Sequence, residues 1–179
     1  MKHFYAGATP EVARPAFEAV RDSLAAEYGV PVKELVLPGV EFAFDAGRQQ
    51  YRSLDVLEML GRHCPADAWK LLAVTERDLF VPVLTFVFGQ AQLGGRLAVV
   101  SLARLRQEFY GLAPNGQVLL ERAAKEALHE TGHTFGLVHC ADRSCAMSLA
   151  TNVRQIDEKR AAWCAACAAQ LRRMQGVMR

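Results

Sequence analysis

The sequence lacks a charge imbalance. Lysine and arginine number 21 against 19 aspartates and glutamates in 179 residues, a formal net charge of +2. A chain so balanced has no strongly basic face to follow nucleic-acid phosphates, so no nucleic acid is expected as a partner. It also lacks a long apolar run. The longest, Leu79–Gly89, has eleven residues and is interrupted by Pro82 and Thr85, against the ~20 apolar residues a bilayer-spanning helix needs. Residues 1–10 contain no apolar stretch of the kind a secretory signal requires. No membrane association is therefore expected, and the expected location is cytoplasmic. Internal repeats, low-complexity tracts and lipidation motifs are missing too. Aromatics reach only 8%, but hydrophobic residues make up 51%, which excludes a disordered chain. A chain this long buries roughly 70% of its unfolded surface and can build a core without disulfides.

What is present is crowding of two rare residue types. Of five histidines and five cysteines, seven fall between His129 and Cys167. In a reducing compartment grouped cysteines bind metal more often than they pair as disulfides, and an odd count agrees with that.

Residue patterning frames this cluster. Short β-rich segments at His3–Ala6, Val32–Leu37, Lys70–Thr75, Leu84–Phe88 and Leu97–Ser101 alternate with helical periodicity over Pro10–Tyr28, Gln50–His63 and Gln117–Phe135. Such alternation predicts an α/β class with a mostly parallel, twisted sheet and helices packed on it. Leu84–Phe88, between Pro82 and Gly89, reads as an edge strand, and Phe80, Phe86 and Phe88 read as sheet core. The Gln117–Phe135 helix is capped at Asn115 or Gly116, with Leu120, Ala124 and Leu128 as its buried stripe, and Gly136 ends it. A last helix is expected over Glu158–Gln175. Residues 1–136 then form an N-terminal α/β subdomain ending in the Gln117–Phe135 helix. Residues 137–179 form a small C-terminal subdomain, too short for a robust core and stapled by metal instead.

His129-Glu130-Thr131-Gly132-His133 places two imidazoles one helical turn apart on one face, where they can share a zinc ion. Glu130, turned about 100° from His129, stands beside that metal and suits a general base for a zinc-activated water. Gly136 lets the helix stop and the chain swing back, which delivers His139 as a third ligand and leaves a fourth position open. Cys140, Cys145, Cys164 and Cys167 form C-x4-C-x18-C-x2-C, two short pairs that fill a tetrahedral thiolate site. Four thiolates leave no open position, so that zinc is structural. Its sulfur ligand Cys140 directly follows His139. A redox-active C-x-x-C and a zinc-ribbon module are the alternatives for these cysteines. Cys64 reads as a buried free thiol, and His3 and His63 as ordinary histidines.

Taken together, His129–Cys140, Cys145, Met147 and Cys164–Cys167 resemble the archaemetzincins, a branch of the metzincin zinc peptidases. The resemblance continues through Thr75-Glu76-Arg77-Asp78-Leu79, Pro82, Phe86–Ala91 and Ala98–Leu105. Sixteen residues separate Met147 from Cys164, one fewer than the family spacing. The resemblance implies a metzincin-like fold, His129, His133 and His139 as catalytic zinc ligands and Glu130 as base. It further implies the four cysteines as ligands of a second zinc, Met147 as the methionine of a turn beneath the first, and two zinc ions per chain. In metzincins an edge strand before the active-site helix aligns the substrate, and Leu84, Thr85, Phe86, Val87 and Phe88 are the candidates here. The expected activity is hydrolysis of peptide bonds in a peptide or protein substrate by a monomer. The competing function is a non-catalytic or weakly active, zinc-stabilised peptide-binding or regulatory module.

Overall fold

A computed structural model describes residues 2–177. In chain order its elements are β1 (His3–Ala8), α1 (Arg14–Tyr28), β2 (Val32–Val36), β3 (Phe44–Asp45), β4 (Gln50–Arg52), α2 (Ser53–His63), β5 (Ala68–Thr75), β6 (Leu79–Phe80), β7 (Gly89–Ala91), β8 (Leu97–Ser101), α3 (Gly116–Thr134), α4 (Val153–Glu158) and α5 (Ala165–Val177).

Five strands make the main sheet in the order β2-β1-β5-β8-β7, and β3-β4-β6 make a small second sheet. The first four strands of the main sheet run parallel; β7 alone is antiparallel, pairing Gly89, Gln90 and Ala91 with Val100, Val99 and Ala98. Strands covered on both faces explain the apolar runs in β5 and β8. Side chains alternate between two cores: Phe4, Leu72, Val74, Ala98 and Val100 join α1 and α3, while Tyr5, Leu71, Ala73, Leu97 and Val99 join α2. The result is a sheet sandwiched between helices, with α3 laid beside its β8–β7 edge. Among the described residues no helix is long and apolar enough to cross a membrane.

Several elements differ from the sequence reading. Leu84–Phe88 is not a strand; it lies in the connection between β6 and β7, and the edge strand starts only at Gly89. Pro82 and a turn bond from Leu84 N–H to the Val81 carbonyl at 3.0 Å keep the segment out of the ladder. Residues 50–52 are a strand rather than the first turn of α2, and the Ser53 hydroxyl donates to the Phe80 carbonyl at 2.9 Å. The expected last helix, Glu158–Gln175, begins only at Ala165 as α5; Lys159–Cys164 are irregular, and the short helix α4 precedes them. On α3 the buried stripe runs through Leu119, Ala123, Glu126, Ala127 and Glu130, one position away from the expected one except at Leu128.

The C-terminal part is also less separate than expected. Leu137, Met147, Ile156, Cys167 and Leu171 belong to the same apolar cluster as Phe4, Leu72 and Val100. Trp163 approaches Tyr28, with ring centroids 6.0 Å apart. Apolar packing joins this part to the sheet.

Candidate metal centre

The histidine cluster is built on the last turns of α3. Asn115 caps the helix start, its Oδ1 accepting from Val118 N–H at 3.1 Å. At the other end Gly136 N–H donates to the His133 carbonyl and Leu137 N–H to the Gly132 carbonyl, at 2.8 and 3.1 Å. Gly136 takes φ 85°, a left-handed conformation that reverses the chain. His139 returns over the helix as a result, and ring centroids lie 4.7 Å (His129–His133), 5.4 Å (His129–His139) and 5.1 Å (His133–His139) apart. One nitrogen from each imidazole lies within 4.8 Å of the others.

Hydrogen bonding fixes the tautomers. His129 Nδ1 faces the Ala146 carbonyl at 2.9 Å and His133 Nδ1 the Leu137 carbonyl at 2.7 Å. A carbonyl only accepts, so both Nδ1 atoms carry the proton and both Nε2 atoms present lone pairs. Those two Nε2 atoms face each other at 3.1 Å, an arrangement that is repulsive without a cation between them. Two nitrogens about 2.05 Å from a shared tetrahedral zinc stand about 3.3 Å apart. Burial pushes all three imidazoles below their ordinary pKa, which keeps them neutral and ready to ligate. The donor set fits zinc.

Glu130 is buried, and burial raises its carboxyl well above the usual range, with the nearby Glu126 carboxylate adding to the rise. Its side chain lies flat against β7: a Cβ at Gly89 would come within 2.6 Å of Glu130 Cγ and of the Val99 carbonyl oxygen. Glu126, one turn earlier, receives a hydrogen bond from Lys159 Nζ at 3.0 Å, both groups being almost fully buried. These carboxylates and the three histidines open on a cavity of about 420 Å³, walled on one side by Leu84–Ala91 and on the other by Leu149, Ala150 and Thr151. Phe86 and Phe88, expected in the sheet core, both line it. So do Leu84, Thr85 and Val87, although they are not strand residues.

Met147 is fully buried directly beneath α3. A Cβ on Gly132 would lie 2.4 Å from Met147 Sδ and 3.1 Å from the Trp163 ring, so only glycine lets the helix rest this closely on that floor. The same turn supplies the Ala146 carbonyl to His129, while Met147 O accepts from Cys140 N–H at 2.9 Å.

Cys140, Cys145, Cys164 and Cys167 come together next to it, their sulfurs within 4.8 Å of one another and none in a disulfide. The Cys140–Cys164 separation of 3.8 Å is far beyond the ~2.05 Å of a disulfide. It matches the ~3.8 Å between sulfurs each ~2.3 Å from one tetrahedral zinc. Cys167 N–H donates to Cys164 Sγ, the largest of the effects that bring that thiol down to about 7, whereas burial pushes Cys145 and Cys167 up. Every histidine and cysteine singled out by spacing is thus brought into one of two clusters. Gly89, Glu126 and Lys159 were missed. Glu126 and Glu130 lie four residues apart on one helix face, a signal in the sequence; Gly89 and Lys159 carry none.

Comparison with known proteins agrees with this geometry. Residues 55–173 match the profile of peptidase family M54. The archaemetzincin of Methanocaldococcus jannaschii is 42% identical over 139 residues, covering 76% of this chain and 75% of the relative. The crystal structure of archaemetzincin from Methanopyrus kandleri superposes with a TM-score of 0.84 at 34% identity, covering 97% of this chain and 96% of that one. A zinc-dependent peptidase from Methanocorpusculum labreanum gives 0.81 at 32% identity, over 94% and 99%. With the histidine cluster, the fold and the matched length all pointing the same way, the chain belongs to peptidase family M54, the archaemetzincin family of zinc metallopeptidases.

Proposed function

We propose that the protein hydrolyses peptide bonds with Glu130 as general base, His129, His133 and His139 holding a catalytic zinc, and the four cysteines holding a second, structural one. Bound zinc would supply Lewis acidity to the scissile carbonyl and acidify a water at that position. Glu130 takes the proton of the attacking water on its carboxylate and hands it to the nitrogen of the leaving amine. Its raised pKa suits both halves of that transfer. Glu126 is occupied by Lys159, which leaves Glu130 as the carboxylate free to act in the cavity. The Nδ1–H bonds of His129 and His133 hold their rings in the ligating tautomer. β7 lies at the edge of the main sheet and lines the cavity, so an extended peptide would align along it by strand addition. Gly89–Ala91 takes the alignment role first assigned to Leu84–Phe88.

The observation that carries this reading is that Glu130 lies against the β7 backbone and lines the same cavity as three convergent imidazoles. Glu130→Gln is expected to keep its metal and lose at least about a hundredfold in hydrolysis of a broad peptide library. Undiminished cleavage by that variant would remove Glu130 from the mechanism. No cleavage by wild type with both sites filled would instead make the protein a peptide-binding module.

A further inference from the structure

Asp78 and Arg104 stand apart from the histidines, yet both act on the segment that walls their cavity, Arg104 directly and Asp78 through Gln50. Residues 81–88 form no strand, and their backbone ties to the strands are the Leu79–Val87 bridge and a 2.8 Å bond from Ser101 N–H to the Phe88 carbonyl. Side chains from elsewhere hold them. Arg48 Nη2 donates to the Leu84 and Thr85 carbonyls at 2.7 and 3.1 Å. Gln50 Nε2 donates to the same Thr85 carbonyl and to Asp78 Oδ2, each at 3.0 Å. Asp78 in turn accepts a bidentate pair from Arg104 at 2.7 and 2.8 Å. The Arg104 guanidinium lies 4.2 Å from the centroid of Phe86, and Phe86 meets Phe88 edge-on at 5.0 Å. Asp78 is therefore a hub with two arms, Gln50 reaching the backbone of the wall and Arg104 its aromatic side chain.

The chemistry of each arm is specific. A planar guanidinium can grip a carboxylate with two parallel bonds while its face rests on a ring; an ammonium cannot do both. Phe86 shares the cavity with Leu84, Phe88, Leu149 and Ala150, an apolar lining whose charged groups are confined to the metal end.

We propose that Asp78, Gln50 and Arg104 are positioning residues for the substrate wall, and that Phe86, held by Arg104, selects an apolar substrate side chain beside the scissile bond. The cleavage half of this inference rests on the peptidase reading above; the structural half does not. Arg104→Lys is expected to raise KM for peptides with apolar side chains by about tenfold, leave kcat within about twofold and keep zinc content unchanged. The Arg104→Lys/Phe86→Ala double variant should match Phe86→Ala alone, because Arg104 acts through that ring. Asp78→Asn, which keeps the shape of the hub, serves as the second variant with the same expected KM effect. Losses that add in the double variant, or a fall in kcat at constant KM, would overturn the assignment. Amide hydrogen exchange supplies a readout free of catalysis. Exchange across 84–88 should quicken by about tenfold in Arg104→Lys while 116–134 is unaffected; unaltered exchange at 84–88 overturns the proposal whether or not the protein cleaves peptides. Quickened exchange in a wild-type background that cleaves nothing would sink the peptidase reading and leave the wall assignment standing.

Discussion

A single methyl group at position 89 would disturb Glu130, the proposed base, more directly than most changes to the proposed metal ligands. That Cβ would meet Glu130 Cγ on one side and the Val99 carbonyl, a backbone atom with nowhere to go, on the other. Gly89→Ala should therefore displace Glu130 while His129, His133 and His139, carried by α3 and the chain after it, stay together. The expected outcome is retained zinc with kcat reduced by at least about tenfold, since general-base catalysis depends on hydrogen-bond reach to the proton being moved. Metal analysis beside steady-state kinetics checks it, and full activity in the variant would show that the close approach is idle. At this scale the histidine cluster was legible in the sequence because its geometry is local: a helical turn fixes His129 against His133, and one glycine returns His139. Gly89 and Lys159 were not legible, because what each touches is brought by a distant element.

Elements went wrong in the sequence reading where side chains from elsewhere claimed a segment's backbone. Leu84-Thr85-Phe86-Val87-Phe88 has the composition of a strand, but Arg48 and Gln50 take two of its carbonyls, and the ladder begins at the smaller Gly89. Likewise the Ala-rich stretch after Glu158 promised one helix. Lys159 instead turns inward to Glu126 and Cys164 joins the cysteine cluster, so α5 starts only at Ala165. Lys70 lies where a strand was expected, but as a lysine with no exposed surface inside β5. Its Nζ donates to the Thr134 carbonyl at 2.5 Å and the Gly95 carbonyl at 2.7 Å, and sits 4.4 Å from the Phe135 ring. It thereby caps the C-terminal end of α3, where a helix dipole favours a cation. Burial, then the charges of Lys2 and Arg96, bring its pKa down from 10.5 to about 8. Because the folded value is the lower one, the unfolded chain holds more protons between these limits, and this group makes stability rise as pH climbs from about 8 to about 10.5. Urea unfolding across that window should show wild type gaining on Lys70→Met as pH increases. A constant or shrinking difference would contradict the assignment.

The whole molecule raises the question of whether residues 137–177 are a unit held on by metal. The short length of that segment argues for a staple, and four cysteines provide one. Its packing argues for continuity, since Leu137, Met147 and Leu171 share a core with Phe4 and Val100, and Gly132 of α3 rests on Met147 and Trp163. Both are satisfied if the cysteine site stabilises a segment that folds together with the sheet. Wild type should then carry two zinc ions per chain, and a strong chelator should lower Tm because the ions bind the folded state. Heat unfolding of the stripped protein should remain one transition with equal calorimetric and van't Hoff enthalpies, provided the segment still packs. Two separated transitions, one of them sensitive to chelator and the other not, would mean that the C-terminal part is an independent zinc-dependent unit. One zinc per chain in wild type would refute the two-site arrangement. The expected single transition has a consequence for the active site. His139 and Cys140 are consecutive, so loosening the cysteine site would loosen His139, the proposed third zinc ligand, and partial chelation should cost activity before it costs the fold.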